Sequence, residues 1–318
     1  MEPTLIDVHA HFLLPEYVAA AERAGHLRPD GMPAWPVWNA HRHLDLMDRM
    51  GIARSILSIS SPGVHFGDDF RAQVLARRVN EAAAALTEDH PGRFGFFASL
   101  PLPDVPGSLV ELEYAFDVLN ADGVVLTSNA GGQYPGDPSW DQLWRALDER
   151  AAVVFLHPTS PPQWRQVALD RPRPMIEFLF DSARAVTDLV LTGVFSRYPR
   201  IRFIVTHAGG VLPLLGDRLD LFRQTYAPVS ELPSISGQLQ DLWYDVAGTP
   251  VPNQLRALEA MAGADHLLYG SDHCFTPIEA VADQIAALDD SPIAKSWRTR
   301  TTANAVRLLA AEARKLPG

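Results

Sequence analysis

Eight short runs rich in β-forming residues alternate with helical stretches along almost the whole chain, and few architectures accommodate that rhythm. The runs are 5–9 (LIDVH), 55–60 (SILSIS), 93–100 (RFGFFASL), 123–128 (GVVLTS), 153–157 (VVFLH), 202–207 (RFIVTH), 242–248 (LWYDVAG) and 267–272 (LLYGSD). Most are apolar nearly throughout, as strands covered on both faces must be. Helical patterns fall between them, at 69–88, 108–120, 139–150, 175–192 and 254–262. Strand then helix, eight times over, predicts a parallel sheet closed into a (β/α)8 TIM barrel. A doubly wound open sheet is the alternative, but no Gly-rich phosphate fingerprint follows the first run. No linker, low-complexity tract or repeat divides the chain, so residues 1–318 are expected to form one domain.

Two connections are longer than the rest. Residues 12–40 follow the first run and contain DGMPAWPVWNAH, and residues 158–173 follow the fifth and read PTSPPQWRQVALDRPR. Both join a strand to the next helix, so both belong at the C-terminal face of the barrel, where sites are built. The first is expected to be a lid inserted after strand one. Composition narrows the partners. The net charge of −11 leaves no basic stripe to neutralise phosphates, which excludes a nucleic-acid binder. The single cysteine, Cys274, permits no internal disulfide. With no leader pattern and no long apolar stretch, the expected location is the cytoplasm.

The ends of the strand runs carry the chemistry. The first ends with His9 and His11, two apart and therefore on one face; the fifth ends at His157, the sixth at His207 and the eighth at Asp272. A lone strand-end histidine is most often a hydrogen-bonded structural residue. Five such groups at one end of one barrel have no packing explanation. Neutral imidazoles with a carboxylate suit a divalent transition metal, Zn²⁺ first, with Mn²⁺ or Fe²⁺ as alternatives.

These motifs, DVHAHF, LHP, THAGG, YGSD and NAVRLL (304–309), resemble the amidohydrolase superfamily along the whole chain. Three further segments, MDRMGI (47–52), RFGFFASLPLPD (93–104) and GVFSRYPRIRFIVTHAGG (193–210), resemble the branch of the aminocarboxymuconate semialdehyde and ortho-hydroxybenzoate decarboxylases. EYAFDVLNADGVVL (113–126) and YPGDPSWDQLW (134–144) are similar to the 6-methylsalicylate decarboxylase group within it. The resemblance implies that His9, His11, His157 and Asp272 bind one divalent ion, with His207 as the acid–base histidine beside it and Asp272 as a second proton carrier. Binuclear relatives use a carboxylated lysine on the fourth strand. That strand here is GVVLTS, and the only lysines of the chain are Lys295 and Lys315.

The implied activity is non-oxidative decarboxylation of a small aromatic or enol-bearing carboxylate, such as 6-methylsalicylate, by a homodimer or higher oligomer. The same ligands would serve a hydrolase of an amide, ester or lactone. Substrate contacts are less sharply indicated. The family's arginine that reaches a neighbouring subunit's site matches Arg218, which reads equally as a solvated helical arginine paired with Asp217 or Asp220. His273, beside Asp272, either lines the pocket or turns into the structure. His65 lies on the correct face, and Trp38 belongs to the aromatic set of the first connection, which either forms a lid or packs that connection down. His41 and His43 are expected in an exposed stretch at a helix start. The substrate-gripping arginine of the semialdehyde decarboxylases has no counterpart between Arg28 and Arg42.

Overall fold

The computed structural model describes residues 4–226, 233–248, 250–291 and 295–310. Lys315 lies outside them. Eight parallel strands follow one another in chain order: β1 (Leu5–His11), β2 (Ile52–Ser58), β3 (Phe94–Ser99), β4 (Gly123–Thr127), β5 (Val153–His157), β6 (Arg202–Val205), β7 (Trp243–Asp245) and β8 (Leu267–Leu268). Each pairs with the next in parallel register. The last meets the first through bridges Asp7–Tyr269 and Ala10–His273, with Val8 N–H donating to Tyr269 O at 3.0 Å and Asp272 N–H to His9 O at 2.8 Å. The ring is therefore closed, as expected of a (β/α)8 barrel.

The apolar runs become strands because both faces are covered. Every residue of β3 and of β5 is buried. Outside, the helices Asp69–Asp89, Asp141–Glu149 and Glu177–Leu191 lay Ala76, Val79, Trp144, Val186 and Leu189 onto the sheet. Inside, Phe97 stacks on Phe155 with ring centroids 5.3 Å apart. The helix Trp297–Leu309 crosses the N-terminal end. Thr302 Oγ1 donates to Thr4 O, Asn304 Nδ2 donates to Leu267 O at 2.8 Å, and Arg202 donates to Leu308 O. Thr4 precedes β1, and Leu267 and Arg202 begin β8 and β6, so this helix caps the end opposite to the histidines.

Element boundaries depart from the sequence expectation where side-chain caps intervene. The helix expected from 108 starts at Val105, because Asp104 accepts from Gly107 N–H at 3.0 Å and Pro106 falls in the first turn, where its missing N–H costs nothing. The helix Ala40–Met50 begins on Asn39, which accepts from Arg42 N–H, and ends at Gly51 with φ of 73°. The sixth, seventh and eighth strands are shorter than expected. His207 opens a turn after β6 at φ of 54°, and Asp272 lies four residues past β8 at φ of 56°. Both non-glycine residues sit in the left-handed region, at a cost of about 1 kcal/mol each that the surrounding contacts must offset.

The connection after β1 folds into the helix Pro15–Arg23 and a turn at Pro29–Gly31. Its aromatics pack it down. Trp35 stands edge-on to Tyr17 at 5.8 Å, and Trp38 stands edge-on to Phe12 at 5.9 Å. The connection after β5 is tied to it: Ser160 Oγ donates to Asp30 Oδ1, while Arg173 Nε donates to Ser160 Oγ at 2.9 Å. No helix among the described residues is long and apolar enough to cross a membrane.

Candidate metal centre

His9 and His11 come from the C-terminal end of β1, His157 from the end of β5 and Asp272 from the loop after β8. Their ligand atoms all lie within 4.8 Å of one another. Each imidazole has its Nδ1 fixed by an acceptor behind it. His9 Nδ1–H donates to Asp245 Oδ2 at 2.9 Å, His157 Nδ1–H to Pro158 O at 2.7 Å, and His11 Nδ1 lies 3.3 Å from Ser58 O and 3.1 Å from Ser58 Oγ. In neutral rings this leaves each Nε2 as a bare lone pair.

Those lone pairs converge. His9 Nε2 lies 3.1 Å from His11 Nε2, and the two lie 3.4 Å and 3.3 Å from Asp272 Oδ1. Three electron-rich atoms aimed at one point repel unless a cation sits among them. In a tetrahedral shell with bonds of about 2.1 Å, ligand atoms stand about 3.4 Å apart, close to the 3.1, 3.3 and 3.4 Å among these three, and the whole set of four lies within 4.8 Å. The electrostatics agree. Burial works to lower His9, but Asp245 and Asp272 outweigh it and raise His9 to about 10, so this position demands positive charge. Burial holds His11 below, and His157 well below, the usual imidazole range, which keeps them neutral and ready to ligate. For Asp272, burial works upward, but the charge demanded at His9 and the facing rings of His11, His207 and His9 hold it well below the usual carboxylate range. The residues present therefore fit a divalent metal ion.

His207 stands beside this set, its Nε2 3.6 Å from Asp272 Oδ2 and its ring centroid 5.0 Å from that of His9. Asp245 supports this set and is a residue that the sequence reading passed over. It is fully buried on β7 and accepts from His9 Nδ1–H, His207 N–H at 3.1 Å and Ala247 N–H at 3.0 Å. One carboxylate thus orients a ligand and the neighbouring histidine loop. Asp7 does the same for the Asp272 loop, accepting from Ser271 N–H at 3.0 Å and Ser271 Oγ–H at 2.6 Å. An aspartate within an otherwise apolar strand was the available signal in both cases, because burying a carboxylate without a task is costly.

The remaining candidates separate. His273 turns away from the ligands: its ring meets His43 at 4.9 Å and its Nδ1 lies 3.3 Å from Thr276 O. His43 corrects the expectation of an exposed residue. It is fully buried, because the helix Ala40–Met50 presents it inward, and its Nδ1 accepts from Trp38 Nε1–H at 3.0 Å. Trp38 is thereby committed to packing. His65 lines a cavity at the barrel mouth, with Nε2 2.8 Å from Asp69 Oδ1 and Nδ1 accepting from Gly67 N–H. Arg218 lies exposed on the helix Leu212–Tyr226, its guanidinium over the Phe222 ring at 4.8 Å.

The barrel and the converging ligand set define a metal-dependent barrel enzyme. The chain belongs to the amidohydrolase family, whose profile matches residues 6–314. It is 36% identical over 287 residues to the 6-methylsalicylic acid decarboxylase of Penicillium expansum, covering 87% of this chain and 86% of that protein. It is 32% identical to the 6-methylsalicylic acid decarboxylase acuB of Aspergillus aculeatus, covering 98% of this chain and 99% of that protein. A solved structure described as an amidohydrolase II superposes with a TM-score of 0.91 at 33% identity, covering 96% of this chain and 99% of the other.

Proposed function

We propose that this chain removes CO₂ from 6-methylsalicylate or a close ortho-hydroxybenzoate. It is a metal-dependent carboxy-lyase acting on aromatic carboxylates. The observation that carries the particular substrate class is the alignment of this chain, nearly end to end, with 6-methylsalicylic acid decarboxylases, and His207 Nε2, 3.6 Å from Asp272 Oδ2, stands beside the ligand set where an acid–base group is needed. His9, His11, His157 and Asp272 would hold a divalent ion, which would supply Lewis acidity to position a carboxylate substrate and stabilise negative charge. The proton that goes to the ring carbon bearing the carboxylate is delivered either through His207 or by Asp272. A C–H bond forms there. The bond to the carboxylate carbon then breaks, its electron pair returns to the ring, aromaticity is restored and CO₂ leaves. Three neutral nitrogens and one carboxylate favour Zn²⁺ in this site, with Mn²⁺ as the competing ion in metal analysis. The lone buried thiol of Cys274 suits a reducing cytoplasm.

Isotopes test this reading. Turnover of 6-methylsalicylate in D₂O is expected to give a phenol with one deuterium at the former carboxyl carbon, and turnover in H₂¹⁸O a phenol free of label. Absence of CO₂ from every hydroxybenzoate, together with ¹⁸O entry from an ester or lactone, would replace it with a hydrolase.

The same reading makes the chain a homodimer. The helix Leu212–Tyr226 exposes Leu214 by 76%, Phe222 by 46% and Tyr226 by 76%, and Met175 and Phe180 are exposed on the neighbouring segment, whose Leu179 carbonyl lies against Gly210. An apolar face of this kind around Arg218 is the expected setting of a subunit contact. Sedimentation is expected to show a dimer, Leu214→Asp to dissociate it, and Arg218→Ala to raise KM for the carboxylate. A fully active monomer returns Arg218 to the role of a solvated helical arginine.

A further inference from the structure

Beside the ligands, the barrel mouth opens into a cavity of about 970 Å³. Ile59 and Thr159, which follow Ser58 and lie two residues beyond His157, are among its walls, but none of the four ligands is. The cavity therefore opens at the end of the barrel that carries the ligands. Its walls carry three arginines, Arg28, Arg165 and Arg173, against one aspartate, Asp30, which is a local reversal of sign in a chain of net charge −11.

Arg173 differs from the other two. Its side chain is only 12% exposed. Its guanidinium lies on the Trp164 ring, 4.1 Å from the centroid, and its Nε is spent on Ser160 Oγ. The nearest carboxylate oxygen, Asp30 Oδ1, is 4.0 Å from Nη2, beyond hydrogen-bond reach, and already accepts from Ser160 Oγ–H. Among the described residues, no acceptor reaches either terminal nitrogen. Burial lowers the pKa of the group, as it does for a cation short of partners. The backbone makes room for it. A Cβ at Gly31, where φ is +78°, would stand 2.5 Å from Arg173 Nη1, so the first connection runs as glycine where the guanidinium passes. An oriented, stacked guanidinium with its terminal fork unspent, facing a cavity, is built to receive a planar anion.

We propose that Arg173 is the anion-recognition group of this cavity, and that its terminal nitrogens take the carboxylate of the incoming aromatic acid before that acid reaches the metal. The identity of the acid rests on the decarboxylase reading above; the anion site does not. Arg173 then determines specificity on entry and takes no part in the proton transfer.

The test uses the metal-loaded, full-length enzyme, with 6-methylsalicylate as substrate, benzoate as anionic probe and phenol as neutral probe. Arg173→Gln is expected to raise KM and the benzoate dissociation constant roughly tenfold, the scale of a charge-assisted pair. kcat is expected to stay within about twofold, with phenol binding and metal content unchanged. The fall of kcat/KM with ionic strength should flatten, since that slope reports the charge. Arg173→Lys should restore the salt slope without restoring full affinity, because a lysine lacks the planar fork. Ser160→Ala, which frees Nε but keeps the charge, should weaken benzoate by roughly threefold and leave phenol unaffected. Equal weakening of benzoate and phenol would reduce Arg173 to a structural residue. Unchanged benzoate binding in Arg173→Gln would remove the site. Benzoate and phenol binding by calorimetry decides the matter even if 6-methylsalicylate proves not to be turned over, so failure of the decarboxylase reading is distinguishable from failure of this one.

Discussion

Replacing His157 by alanine is expected to lower the bound metal from about one ion per chain to less than about a tenth, and to reduce kcat/KM by a factor on the order of 10⁴. The size follows from the geometry. His157 Nδ1–H is held by Pro158 O, so its Nε2 is fixed among the ligand atoms, and among the described residues the convergent set has four members, of which this variant removes one. His9→Ala should behave alike, with a further cost, because Asp245 would be left buried beneath it without its principal donor. The barrel should survive His157→Ala. β5 is held by its pairing with β4 and β6 through Val153–Leu156, which the substitution leaves intact. Metal analysis of purified protein, with circular dichroism as the control for folding, checks both statements. A variant that keeps one ion and full turnover would overturn the ligand assignment, and two tightly held ions in the parent protein would overturn the single-metal site.

His207→Ala is expected to slow turnover by a factor on the order of 10² or more, the usual loss for a positioned proton carrier, while the metal stays bound. The separation between the two effects is the point. His207 lies against Asp272 at 3.6 Å but makes no part of the four-atom convergence. Its backbone complicates the choice of variant. At φ of 54°, alanine is strained where histidine already is, so His207→Asn is the better companion, because asparagine tolerates the left-handed region and carries no proton at this pH. Both variants should lose rate alike, and His207→Asn should do so with a melting temperature closer to that of the parent. Loss of metal in both would instead make His207 a ligand. Full activity in both would leave Asp272 as the only proton carrier.

The barrel was legible because burial on two faces writes itself into a strand as an unbroken apolar run. Each of the eight expected runs overlaps a strand, and the candidate ligands stand at or just past the strands' C-terminal ends, where side chains of different strands converge. His-x-His was readable for a local reason: alternate residues of a strand share a face.

The shortfalls share one cause. Strand lengths at β6, β7 and β8 depend on where neighbouring strands stop offering hydrogen bonds, and His207 and Asp272 therefore sit in left-handed turns that no periodicity marks. His43 was expected to be exposed at a helix start until the helix Ala40–Met50 turned it inward against Trp38 and His273. Asp245 is one acid in one strand until it is seen beneath His9 and His207 together.

Residue order along the chain determined the class of fold, the four residues that converge as candidate ligands and the absence of a bridging lysine from the barrel strands, since each depends on what a residue is and on which strand it ends. Tertiary structure alone decided which Nδ1 is tied and hence which nitrogens converge, and which carboxylate supports them. It also decided that a guanidinium 16 residues beyond His157 lies against Gly31 of the first connection with its fork unspent. Those outcomes depend on contacts between segments far apart in the chain, and no local pattern encodes a partner that only folding brings near.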